Sequence, residues 1–148
     1  MPSFDGQEPP CGGLLLEDHV GFLLRRAHQR HVALFQEQNG GHRLTPTQFA
    51  ALFVVVKRGQ VTQNFLGRLT AMDPATIQGV VRRLAGRGLL ARTRDPMDRR
   101  TAVLIPTQEG IALIASSVAC ARRSHEAALA PLTRQEQVQF MGLLRKLA

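Results

Sequence analysis

Between residues 73 and 107 the chain prescribes a start, a stop and a reversal, and few folds accommodate that order. In "DPATIQGVVRRLAGRG", Asp73 is placed to accept from the Thr76 amide. Pro74 takes the first helical position, where a missing N–H costs nothing. Ile77, Val80, Val81 and Leu84 form one apolar stripe, and Gly88 fits the left-handed stop. The opposite face carries Ala75, Thr76, Gln78, Gly79, Arg82 and Arg83, which are small, hydrogen-bonding or cationic. Such a face can lie against another surface. Two strand-like runs, "LLARTR" and "TAVLIP", then flank "DPMD", whose proline and aspartates suit a tight turn.

The flanking sequence predicts helices. Residues 1–13 hold three prolines and three glycines without periodicity and read as a flexible N-terminal tail. A helical pattern runs from Leu14 to about Gln38, and "NGGHR" breaks it. Thr45 and Pro46 start a second helix and Gly59 ends it, while Thr62 caps a short third one. After the hairpin, Thr107 caps a helix that runs to about Ala130. Within it, Ala115, Ser116 and Ala119 are small enough for another helix to approach closely. Pro131 ends that helix, and "TRQE" is a capping box, Thr133 with Glu136, for the last one. The expected fold is mainly α with a small β-hairpin wing, in the order α-α-α-α-β-β-α-α. The expected division is 1–13 tail, 14–40 and 107–148 helical dimerisation region, and 45–106 winged helix-turn-helix.

Charge narrows the function. Nineteen basic against eleven acidic residues give +8 and a pI near 11.3. Residues 82–100 alone hold seven arginines and two aspartates. A patch of this kind points to a polyanion, with nucleic acid first. No run of 18 apolar residues suggests a membrane span, and no secretory leader is expected. Cys11 and Cys120 fit free thiols of a cytoplasmic protein. No catalytic Ser-His-Asp arrangement, phosphate-cradling glycine loop or paired acids stands out, so neither an enzyme nor a cofactor is expected.

A short helix followed by a capped helix with a basic outer face is the helix-turn-helix arrangement, whose second helix enters the major groove of duplex DNA. Thr76, Gln78 and Gly79 would lie near base edges or phosphate, and Arg82 and Arg83 would pair with phosphate or guanine. At the hairpin tip, Arg99 and Arg100 suit the negative potential of a narrow minor groove. Asp95 and Asp98 would hold wing arginines in place through bidentate hydrogen bonds. The alternative is a winged helix that binds RNA or protein without operator specificity. The absence of Tyr and Trp provides poorly for base stacking and counts against it.

"LTPTQFAAL" and "LGRLTAMDPATIQGVVRRLAGRGLLARTRDPMDRRTAVLIPTQEG" resemble the multiple-antibiotic-resistance regulators, the MarR family, and the helix order is similar from about residue 14 to 148. The family's wing reads Asp-x-Arg, a strand, Leu-Thr and a glycine. Asp98, Arg100, Thr107 and Gly110 fit it, and Pro106 replaces the leucine. The resemblance implies a homodimer in which the first helix and the last two dimerise and each subunit reads half of a palindromic operator. It also implies repression lifted by a ligand or an oxidant. A peroxide-sensing subgroup carries a cysteine where this chain has Gly21, and Cys11 lies too far upstream to replace it. The family's commonest effectors are aromatic or phenolic carboxylates held between the dimerisation helices and the winged unit. For such a ligand the residues favoured are His19 and Arg25 with Phe35 and Phe53. His28 and His31 are spaced to share a metal, but no completing ligand is evident, so no metal is expected.

Overall fold

The computed structural model describes residues 12–148. The expected tail, apart from Gly12 and Gly13, and Cys11 with it, lies outside them. A short 3-10 turn at Leu16–Asp18 precedes α1, Val20–Asn39. The first helix therefore begins later than its apolar pattern suggested. His19 is extended and acts as the cap, its Nδ1 accepting from the Gly21 amide at 3.3 Å. Helix α2 spans Pro46–Arg58, strand β1 Val61–Thr62, α3 Gln63–Leu69 and α4 Pro74–Gly86. Strands β2, Leu90–Arg94, and β3, Ala102–Pro106, form the hairpin, followed by α5, Gln108–Leu129, and α6, Arg134–Leu147.

The caps fall where the sequence placed them. Thr45 and Gln48 complete a capping box on α2, Thr62 accepts from the Phe65 amide, and Thr133 with Glu136 does for α6 what Thr45 does for α2. Gly59 and Gly88 end their helices with φ of +77° and +71°. The hairpin, however, belongs to a three-stranded antiparallel sheet ordered β1-β3-β2. Val61 pairs with Leu104 and Thr62 with Val103, so β3 is the middle strand. Two residues are too few to show the alternation by which a strand is read.

Leu52, Leu66, Val81, Leu84 and Leu104 are fully buried and draw α2, α3, α4 and β3 into one core. Ile114 joins it from α5. Removing one such leucine side chain costs about 2–5 kcal/mol. Helix α5 packs along α1. The residues it buries there are Ser117, Cys120 and Ser124, whereas Ala115, Ser116 and Ala119 are exposed in this chain. Ser117 and Ser124 satisfy their hydroxyls on the preceding turn of α5, so the polar groups cost little to bury. Arg30 closes the far end by donating to the carbonyls of Ala127 and Ala128 at 3.0 and 2.6 Å.

The last turn of α4, the base of the wing and the first turn of α5 meet at Thr107. Its hydroxyl donates to the Gly88 carbonyl at 2.7 Å and accepts from the Gly110 amide at 3.0 Å. Gly110 is buried so closely against the Leu89 carbonyl that a Cβ there would collide with backbone. Gly110→Ala should therefore destabilise the protein by about 1–3 kcal/mol, the cost of overpacking, seen as an earlier midpoint in urea denaturation. An unchanged midpoint would show that this junction yields without strain.

Candidate nucleic-acid interface and effector pocket

Helix α4 turns Ile77, Val80, Val81 and Leu84 into the core, and Thr76, Gln78, Arg82 and Arg83 remain exposed. Gly79 is half-buried on the same outer side. Asp73 fixes the start of this helix. Its Oδ1 accepts from the Thr76 amide at 2.8 Å, and its Oδ2 from the Thr76 hydroxyl at 2.7 Å. These two bonds, the amide first, hold the Asp73 carboxyl below the usual carboxylate range. With its O–H hydrogen-bonded to Asp73, the Thr76 oxygen can only accept from an incoming group. It cannot donate to a phosphate while the cap persists.

The wing differs from expectation in one respect. Asp95 and Asp98 shape the hairpin's own backbone and do not clamp its guanidinium groups. The Met97 amide donates to Asp95 at 2.8 Å. The Arg100 amide and the Thr101 hydroxyl donate to Asp98 at 3.0 and 2.8 Å. Short aspartate side chains reach amides two residues onward more readily than the mobile ends of arginines, whose ordering costs entropy. Thr101 first, then the Arg100 amide, lowers the Asp98 pKa. Arg99 and Arg100 stay exposed at the tip.

Two arginines, exposed like the rest of the basic stretch, are hydrogen-bonded within the chain. Arg92 donates to the Gln63 side chain at 3.2 Å and links the wing to α3. Arg87 donates to the carbonyls of Arg43 and His42 at 2.8 and 3.1 Å, fastening the α1–α2 loop to the end of α4. Arg82, Arg83, Arg94, Arg99 and Arg100 are the remainder, equally exposed.

Behind this face an aromatic ladder joins α1 to α2. Phe35 is buried with its ring centroid 5.5 Å from that of Phe49, which lies 5.8 Å from Phe53. Phe49 and Phe53 line an open pocket of about 430 Å³ against α5, where Val118, Ala121, Arg122, His125 and Glu126 complete the wall. Phe35 and Phe53 thus come together, through Phe49. His19 and Arg25 do not join them within one chain. His19 lies 16 residues before Phe35 along the helix, roughly 24 Å, and is engaged in capping. The basic side chains that do line the pocket are the Arg122 guanidinium and the His125 imidazole, with the Glu126 carboxylate beside them. Neither Arg122 nor His125 belongs to the apolar stripe by which that helix's buried face is read, although they sit one turn beyond Val118 and Ala121. His31 packs on Phe35 with centroids 6.2 Å apart. Burial, then repulsion from His28 and His125, lowers its pKa and keeps it neutral near pH 7.

A capped, polar-faced helix, the short helix before it and an arginine-tipped hairpin after it define a winged helix-turn-helix DNA-binding protein. Residues 42–101 match the model of the MarR family. The chain is 41% identical over 130 residues to the HTH-type transcriptional repressor NicR of Pseudomonas putida, covering 88% of this chain and 82% of NicR. It is also similar to the crystal structure of a probable transcriptional regulator from Pseudomonas aeruginosa, at 48% identity and a TM-score of 0.85, over 90% of this chain and 100% of the other. A third likeness is to BpsR of Bordetella bronchiseptica, whose DNA binding is regulated by 6-hydroxynicotinic acid. There the identity is 38% and the TM-score 0.84, over 92% and 97% of the two chains. The chain belongs to the MarR family of transcriptional regulators. No described helix is long and apolar enough to cross a membrane.

The wing geometry separates two roles for Asp98. If it shapes backbone, Asp98→Ala, which removes two hydrogen bonds, should weaken DNA binding roughly 5- to 30-fold, while Asp98→Asn keeps most of the affinity in an anisotropy titration. A charge clamp would make Asn as damaging as Ala. Because the folded pKa is depressed, the carboxylate's contribution is present above the ordinary carboxylate range and is lost as pH falls through the folded value. Wild-type wing order, followed by amide exchange, should therefore survive to a pH below that range.

Proposed function

We propose that the protein is a homodimeric repressor that binds a palindromic operator in the cytoplasm and is released by a small aromatic carboxylate. The observation that carries the DNA part is the pairing of α4's exposed polar face with a wing whose turn is held rigid beneath Arg99 and Arg100. In the docking this supports, Gln78, Gly79 and Thr76 lie nearest the bases of the major groove. Arg82 and Arg83 meet bases or phosphates, and Arg100 reaches the minor groove.

Dimerisation is supported by what one chain leaves bare. Helix α6 has no buried residue and is attached through Gln137, whose amide donates to the carbonyls of Leu129 and Leu132. Val20, Leu23, Leu24, Val138, Leu143 and Leu147 are exposed on α1 and α6. Beside them a groove of about 500 Å³ opens between α1, the end of α5 and α6. Apolar surface on this scale marks an interface. Under this reading residues 14–40 and 107–148 dimerise and 45–106 bind DNA.

The α2–α5 pocket supports the effector class. Phe49 and Phe53 offer ring faces, Arg122 offers a cation for a carboxylate, and the His125 imidazole offers a hydrogen bond. His19 and Arg25 would take part only if supplied by a second subunit. The likeness to NicR supports repression, and the likeness to BpsR supports an N-heteroaromatic acid as effector.

The purified protein should sediment at twice its 16.3 kDa chain mass. Arg100→Ala should weaken operator binding about 5- to 100-fold with the dimer intact. Wild-type affinity in the variant would exclude the wing arginine as a contact. 6-Hydroxynicotinic acid should lower anisotropy of the wild-type complex, and Phe53→Ala should raise the concentration needed. Release that is indifferent to Phe53 would move the effector elsewhere.

A further inference from the structure

Helix α3 carries a cluster that this docking leaves unexplained. The Arg58 guanidinium, from the end of α2, lies 5.0 Å from the centroid of the Phe65 ring, and that of Arg68 lies 5.4 Å from the same centroid. Phe65 is half-buried against the core, whereas Arg58 and Arg68 are exposed. One anchored ring therefore gathers two permanent positive charges. In the free protein those charges repel each other, and the ring's quadrupole only partly offsets this. Asn64 and Arg68 also line a cleft of about 300 Å³ that reaches Pro74, the first residue of α4. Asp73, just before Pro74, has both carboxylate oxygens occupied by Thr76.

In a helix-turn-helix the first helix crosses the DNA backbone while the second enters the groove. The cleft lies where that backbone would pass. We propose that Arg68 is a backbone-phosphate contact and that Phe65 is its positioning residue, holding the guanidinium at the mouth of the cleft. Arg58, on the same ring, adds positive potential at that point. A phosphate arriving there relieves the repulsion between the two cations. The contact carries affinity and register and no base preference. This inference rests on the DNA-binding reading above.

The test is anisotropy with the full chain on a selected operator and on a scrambled duplex, across a series of salt concentrations. Arg68→Ala removes one contact from each subunit of the dimer, so it should weaken binding roughly 25-fold on both duplexes and make the log–log salt slope shallower by about 1.8. Arg68→Lys should keep most of the slope. Phe65→Leu should cost less than Arg68→Ala and should cost nothing further when Arg68 is already alanine. A wild-type slope in Arg68→Ala would overturn the proposal, and so would a Phe65→Leu penalty unchanged by the loss of Arg68. Arg68 is exposed, so its variants fold even if Phe65→Leu proves unstable. Failure of the wild type to bind any duplex would instead overturn the DNA-binding reading itself.

Discussion

Thr107 holds together the parts of the molecule that must stay in register. One hydroxyl caps α5 through Gly110 and grips the last turn around Gly88, while the Thr107 amide donates to the Leu89 carbonyl at 3.3 Å. The end of α4, the first residue of the wing and the start of the long helix therefore move as one body. Gly110 makes this possible by letting α5 approach the Leu89 carbonyl more closely than any side chain would allow. Arg87 adds the α1–α2 loop to the same junction.

This junction gives the proposed regulation a mechanical basis. The aromatic ladder from Phe35 to Phe53 leads to the pocket against α5, and the junction joins α5 to α4 and the wing, the parts proposed to meet DNA. Under the proposed regulation, a ligand that changes how α5 sits on α2 would shift Thr107 and, through its bonds to Gly88 and Leu89, the base of the wing. Two recognition helices in a dimer fit successive grooves only at one spacing, so a small displacement of each is enough to lose the match.

What the sequence made legible was its punctuation. Asp73, Thr45, Thr62, Thr107 and Thr133 act locally, through amides three residues onward, and so do Gly59 and Gly88. Signals of that kind survive folding unchanged, which is why helix order and the exposed face of α4 could be read directly. Long-range pairing could not. Strand β1 exists only because β3 offers it partners. The wing aspartates turned to nearby amides, and Arg87, Arg92 and Arg30 found partners 44, 29 and 97 residues away. The pocket was half legible: its phenylalanines belong to α2, but Arg122 and His125 come from α5, and adjacency of those helices is a tertiary fact.

The proposed function requires two copies of α4 and its wing to dock symmetrically on duplex DNA. Hydroxyl-radical footprinting of the wild-type protein on a selected operator tests it most directly. Symmetric docking should give two protected stretches related by a two-fold axis and about 10 bp apart, one helical turn, each with a flanking minor-groove protection from the wing. A single unsymmetrical footprint, or protection spread evenly along the duplex, would contradict it.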